Sequence, residues 1–175
     1  MDVTLFRHTS VAVPSGTCYG RSDVPVSDNF ENEAEGVKRQ ISGIRFDAVY
    51  SSPLTRCRKL AAWCGYENPI LDDRLLEINC GDWEMQRWDE IDDPRLAVWF
   101  ENWLDFPAGG GESFRQQIDR VAGFLNELKT RPFEKVCIFA HGGILRCALI
   151  YSGQLEPQGA FSPELPYCHK IPITI

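Results

Sequence analysis

Only three histidines occur in this chain, and two of them close apolar runs. Val3-Thr4-Leu5-Phe6 ends in Arg7-His8-Thr9, and Val136-Cys137-Ile138-Phe139-Ala140 ends in His141-Gly142-Gly143. A neutral imidazole can attack phosphorus, forming a phosphohistidine that splits one hard displacement into two easier ones. Arginine offers donors in a fixed fork that grips phosphate oxygens. Strand ends lying side by side would bring two imidazoles and a guanidinium together. On Arg7-His8 alone, a strand ending in two polar surface residues is the plainer account.

Two further stretches change that balance. In Ser51-Ser52-Pro53-Leu54-Thr55-Arg56 the chain leaves a strand, turns, and places Arg56 in a first helical turn. There the helix dipole and free amides favour an anion. Arg58 and Lys59 read as ordinary helix-surface cations. Glu77 follows Leu75-Leu76, so partial burial could raise its pKa, as a general acid requires; a solvated loop acid is the alternative. Gly142 and Gly143 would let backbone come close to a ligand.

These groups need a scaffold that brings distant strand ends together. Strand-like runs fall at Val3–Phe6, Ala48–Tyr50 and Val136–Ala140, short and nearly continuous in apolar residues, as buried parallel strands are. Helical stretches are expected at Glu31–Ile44, Leu54–Cys64, Arg95–Leu104, Glu112–Lys129 and Ile144–Tyr151. The fourth has the clearest apolar face and the last is apolar nearly all round. The alternation implies an α/β fold, a three-layer sandwich with a mostly parallel central sheet and helices on both faces. Ligands then bind beyond the carboxyl ends of the strands, where His8 and His141 fall. Phe161–Ile175 reads as a proline-interrupted loop plus a terminal edge strand, with His169 on the surface. Asp89–Asp93 reads as a solvated acidic turn.

The 175 residues suit one domain, 1–175, and a composition 43% hydrophobic and 25% charged is ordinary for a globular chain. A net charge of -7 argues against a nucleic-acid partner, which would need a basic face. It leaves room for a small phosphorylated substrate held by a few local cations. No signal peptide opens the chain and no apolar run is long enough to span a bilayer, so no membrane partner is expected. Seven scattered cysteines without metal-ligand spacing read as reduced and mostly buried, as in a cytoplasmic protein. The sequence is silent on oligomeric state.

The set Leu5-Phe6-Arg7-His8-Thr9, Ser51-Ser52-Pro53-Leu54-Thr55-Arg56, Leu76-Glu77-Ile78-Asn79-Cys80-Gly81-Asp82-Trp83-Glu84, Gly111-Glu112-Ser113 and Ala140-His141-Gly142-Gly143 resembles the histidine phosphatase superfamily, in its phosphoglycerate-mutase-like branch. The motifs keep the family's order across nearly the whole chain. The resemblance implies that His8 is the phosphorylated nucleophile and that Arg7, Arg56 and His141 bind the phosphoryl group. It implies that Glu77 first protonates the leaving oxygen and then activates water. It implies no metal and no cofactor. The chain departs from the pattern at Thr9, where many members have glycine, at Met85, and at Pro14, where many have a phosphate-binding asparagine. Ser10 or a loop amide could take the asparagine's place.

Thr9, with Gly16-Thr17-Cys18-Tyr19-Gly20-Arg21-Ser22-Asp23-Val24-Pro25-Val26, is similar to the α-ribazole phosphatase subgroup, which removes a 5′-phosphate during cobalamin nucleotide-loop assembly. That resemblance adds Tyr19, Gly20 and Arg21 as substrate contacts, with Gly142. Residues 83–111 would then form a cap whose aromatic side chains could stack on a flat base, or could simply be core. The alternatives are a broad-specificity or sugar phosphatase, a phosphoglycerate mutase, and a non-catalytic phospho-ligand binding protein.

Overall fold

A computed structural model describes Met1–Ile175. Its five strands, β1 (Asp2–Arg7), β2 (Ala48–Ser51), β3 (Ile70–Leu71), β4 (Lys135–Ala140) and β5 (Lys170–Thr174), form one sheet ordered β3-β2-β4-β1-β5. All neighbouring pairs are parallel except β1 with β5. Alternating side chains divide the core as a two-residue period requires. Val3 and Leu5 of β1 join Val136, Ile138 and Ala140 of β4 beneath α4 (Phe114–Leu128) and α5 (Gly142–Tyr151). Phe6, Cys137 and Phe139 face the other way, against α1 (Phe30–Ile41) and α2 (Thr55–Trp63). The expected three-layer α/β sandwich is therefore the observed one.

The elements differ from the sequence expectation mainly at their ends. α1 stops at Ile41 rather than Ile44, because Gly43 turns the chain at φ +77°. α5 is buried on one side only, through Ile144, Leu145, Cys147 and Ala148. β3 went unforeseen; two residues are too few to show a period. β5 is the expected terminal edge strand, and Pro172 is tolerated because an edge strand can lack a ladder donor. No helix is long and apolar enough to cross a membrane.

Residues 83–111 leave this frame and return to it. They carry α3 (Arg95–Glu101) and pack, with Cys18 and Cys80, around Trp83 and Ala108 in a small cluster of their own. The ends of the excursion interlock at Gly81 and Gly109. A Cβ on Gly81 would run into the Gly109 carbonyl, and one on Gly109 into that of Cys80. The acidic turn within it is not simply solvated. Asp93 accepts the Trp83 indole N–H at 2.8 Å and pairs with Arg95, because a buried indole needs an acceptor.

Candidate active site

Ladder register assembles the site. His8 follows β1 and donates its amide to the Ala140 carbonyl at 3.0 Å; Ser52 follows β2 and donates to Phe139 at 2.9 Å. Three strand ends are thus tied side by side, and the His8 and His141 ring centroids lie 5.2 Å apart. Both imidazoles are buried. The His8 ring donates from Nδ1 to the Thr9 carbonyl at 2.7 Å, which leaves the Nε2 lone pair free. Burial, then the charge of Arg56 and to a lesser degree Arg7, pushes the His8 pKa down to about 3. At neutral pH the ring is uncharged. His141 is held well below the usual histidine range, again by burial first and then by Arg56. Its Nε2 lies 2.8 Å from Ser52 Oγ.

Arg56 is fully buried and has no carboxylate partner. It donates to the carbonyls of Gly20 and Ser22, each at 2.8 Å, and lies over the Tyr19 ring at 5.1 Å. Arg7 likewise binds only a carbonyl, that of Leu165, and lies 4.2 Å from the Tyr167 ring centre. The Nε atoms of both guanidinium groups are buried without an acceptor. Two cations without counter-ions, both acting on His8, suit an anion, since a buried charge is tolerated when a ligand pairs it. Arg7 passes beneath the start of α5, its Nε 3.5 Å from where a Cβ on Gly142 would stand.

Glu77 is half-buried and fixed by three N–H donors: Ile78 and Gln117 on Oε1, Gly143 on Oε2. Its loop is clamped from behind. Arg21 Nε and Arg120 both donate to the Glu77 carbonyl at 3.1 Å, and both pair with Glu112. Arg21, expected at the substrate, therefore holds the Glu77 loop. Gly20 is required where it stands: at φ +33° a Cβ would come within 2.6 Å of Glu84 Oε1 and the Ile78 carbonyl. Ser10 is turned away from the phosphate site; its hydroxyl and amide both bind Glu33, at 2.9 and 2.7 Å. Pro14 sits in an exposed turn whose carbonyl accepts from Thr17.

Beside Glu77 opens a cavity of about 220 Å³ lined mostly by apolar residues, among them Tyr19, Ile78, Trp88, Trp99, Phe114 and Phe161. Glu77 is its one charged lining residue. Trp88 and Trp99 stack at 5.4 Å and 17°, and the Trp99 indole N–H is buried without an acceptor. Of the other aromatics of the excursion, Phe100 is largely exposed. Trp83 is core, and Trp103 packs on Phe114. Sequence reasoning missed Tyr167, whose ring lies 5.6 Å from His8 and whose hydroxyl lies 3.2 Å from that of Tyr19. It also missed Gln117 and Arg120. A signal existed for these two, since Gly111-Glu112-Ser113 opens their helix and Ser113 caps it.

A neutral imidazole, two unpaired guanidinium groups and an anchored carboxylate at the carboxyl edge of a mostly parallel sheet suit chemistry on phosphate esters. The chain belongs to the histidine phosphatase superfamily (branch 1), whose family model matches residues 3–174, and it is a phosphatase of that superfamily. It is 30% identical over 162 residues to phosphoserine phosphatase 1 of Hydrogenobacter thermophilus, covering 86% of this chain and 76% of that protein. It is 24% identical over 159 residues to the adenosylcobalamin/alpha-ribazole phosphatase of Escherichia coli, covering 83% and 75%. Its fold matches that of the alpha-ribazole phosphatase from Shigella flexneri with a TM-score of 0.88, over 100% of this chain and 91% of the other, at 22% identity.

Proposed function

We propose that the protein hydrolyses a small phosphomonoester through phospho-His8, and that the substrate is α-ribazole 5′-phosphate or the corresponding cobalamin phosphate. The phosphate dianion pairs with Arg7 and Arg56, with His141 beside them. His8 Nε2 attacks phosphorus, the ester P–O bond breaks, and Glu77 gives its proton to the leaving oxygen. Glu77 then takes a proton from water, the water oxygen attacks phospho-His8, and inorganic phosphate leaves. The cationic side chains meet the charge that a metal ion meets in other phosphoryl-transfer sites, so the reading needs no metal or cofactor. It needs neither nucleic acid nor membrane and suits an enzyme of the cytoplasm.

The cavity carries the choice of substrate. An aromatic slot with a stacked tryptophan pair and a free indole donor supports a flat, heteroatom-bearing leaving group. The carboxylate of phosphoserine or 3-phosphoglycerate would meet no lysine or arginine in the lining, and the nearest charge would be Glu77. That also disfavours the mutase reading. The presence of a candidate acid disfavours a silent binding protein, which has no leaving group to protonate.

The test is kcat/KM across α-ribazole 5′-phosphate, O-phosphoserine, 3-phosphoglycerate and ribose 5-phosphate. The ribazole ester is expected to lead by at least about tenfold, the value of one modest stacking contact. A lead by either carboxylate substrate would overturn the assignment. A flat panel would establish the broad-specificity alternative.

A further inference from the structure

Gln117 lies on α4, fully buried, and lines the cavity beside Glu77. Its amide nitrogen donates to Glu77 Oε1 at 2.8 Å, while its carbonyl oxygen is shut away from solvent without a donor. An unsatisfied buried acceptor costs about 1–3 kcal/mol. A methionine or leucine would fill similar space without that cost, and the neighbouring buried positions Phe114, Val121 and Leu125 are apolar. The amide is retained for what its nitrogen does.

That nitrogen makes the two carboxylate oxygens of Glu77 unequal. Oε1 accepts from Gln117 at 2.8 Å and from the Ile78 amide at 2.9 Å, whereas Oε2 accepts only from the Gly143 amide, at 3.1 Å. Two N–H donors occupy the lone pairs of Oε1 and leave Oε2 the better seat for a proton. Gly143 lies in the first turn of α5, two residues after His141, so its amide ties Oε2 to the element that carries His141 into the site. The packing leaves no slack: a Cβ on Gly143 would stand 2.8 and 2.9 Å from the two amide heteroatoms of Gln117.

We propose that Gln117 is a positioning residue that designates Oε2 of Glu77 as the proton-carrying oxygen. This rests on the reading of Glu77 as the acid. Without the Gln117 donor, either oxygen can take the proton, and the one nearer Ile78 holds it away from the leaving group. The defect belongs to the protonation step, so it grows as the leaving alcohol becomes more basic.

The test is Gln117→Met, with kcat/KM for n-propyl phosphate and p-nitrophenyl phosphate on the same preparation, because kcat/KM ends at phosphoryl transfer to His8 and leaves out the hydrolysis step that both esters share. General-acid assistance is worth about 10²–10⁴-fold, and misdirecting it should lose roughly tenfold of kcat/KM on the propyl ester. The nitrophenyl ester, whose leaving group needs no proton, should change by less than about twofold. The ratio of the two rates is unaffected by a partly folded sample, and Gln117→Leu is expected to repeat it should the methionine variant fail to fold. Equal losses of kcat/KM on both esters, or no loss on either, would overturn the positioning role. Glu77→Gln, run on the same pair, separates the layers. If it fails to discriminate between the esters, the acid reading itself falls. If it discriminates and Gln117→Met does not, only the role of Gln117 falls.

Discussion

The phosphate end and the leaving-group end of this site are built on opposite plans. His8, Arg7 and His141 sit on or just after strand ends fixed by ladder register, and Arg56 in the first turn of α2; all but the half-buried Arg7 are buried. The cavity beside Glu77 is walled by loops and by the 83–111 excursion, and it is mostly apolar. On the proposed reading, the first region binds what all phosphomonoesters share and the second meets what differs among them. Rigid sheet edges suit chemistry that tolerates little misplacement, while loops can vary without disturbing it.

This division makes distinct demands on variants. His8→Ala should reduce turnover by roughly 10⁴-fold or more on every ester, p-nitrophenyl phosphate included, as loss of a nucleophile does elsewhere. Steady-state assays with a folded-state check by circular dichroism would show it; activity near wild type would remove the phosphohistidine route. Arg56→Lys keeps the charge and loses the fork, and kcat/KM should fall about 10²-fold by the same factor for all leaving groups. A leaving-group-dependent loss would mean that Arg56 belongs to the second region after all.

Trp99→Ala addresses that second region. It should lower kcat/KM for α-ribazole 5′-phosphate by roughly tenfold, the lower range of base stacking, and leave n-propyl phosphate within about threefold. Equal effects on both would erase the distinction drawn here. The last effect is on stability rather than turnover, and concerns pH. His8 and His141 are neutral when folded and take up protons near pH 6.5 when unfolded, so the unfolded chain binds more protons below that pH. Stability should therefore fall by about 1.4 kcal/mol per unit and per imidazole as pH drops below about 6.5, levelling for His8 near pH 3. Urea midpoints at pH 7.5 and 5.5 would measure this, and His8→Asn should remove its share of the slope.

The same division governs what could be read before the structure. Arg7, His8, Arg56 and His141 drew notice because each is a polar residue at the end of an apolar strand or in a helical first turn, but that local pattern left Arg7-His8 readable as surface residues until the five motifs were taken together. The partners that hold the site are remote. Gln117 meets Glu77 across 40 positions, and Leu165 meets Arg7 across 158. Ser10 looked free because the Glu33 carboxylate that takes it up is 23 positions away on α1. The tryptophans of 83–111 looked alike in sequence. Only their packing separates Trp83, which is core, from Trp88 and Trp99, which face the cavity.

The interlock of Gly81 with Gly109 has a consequence for descent and design. An excursion whose two ends meet at one point leaves and rejoins the frame at nearly the same place, although its middle also docks on Gly16 and Cys18 and on Phe114. It can be lengthened, shortened or exchanged with no change in the spacing of the strands it departs from. A lineage could thus trade one substrate for another by rewriting the stretch between those glycines, and a grafted stretch from a relative should carry its preference along while the reaction stays where it was.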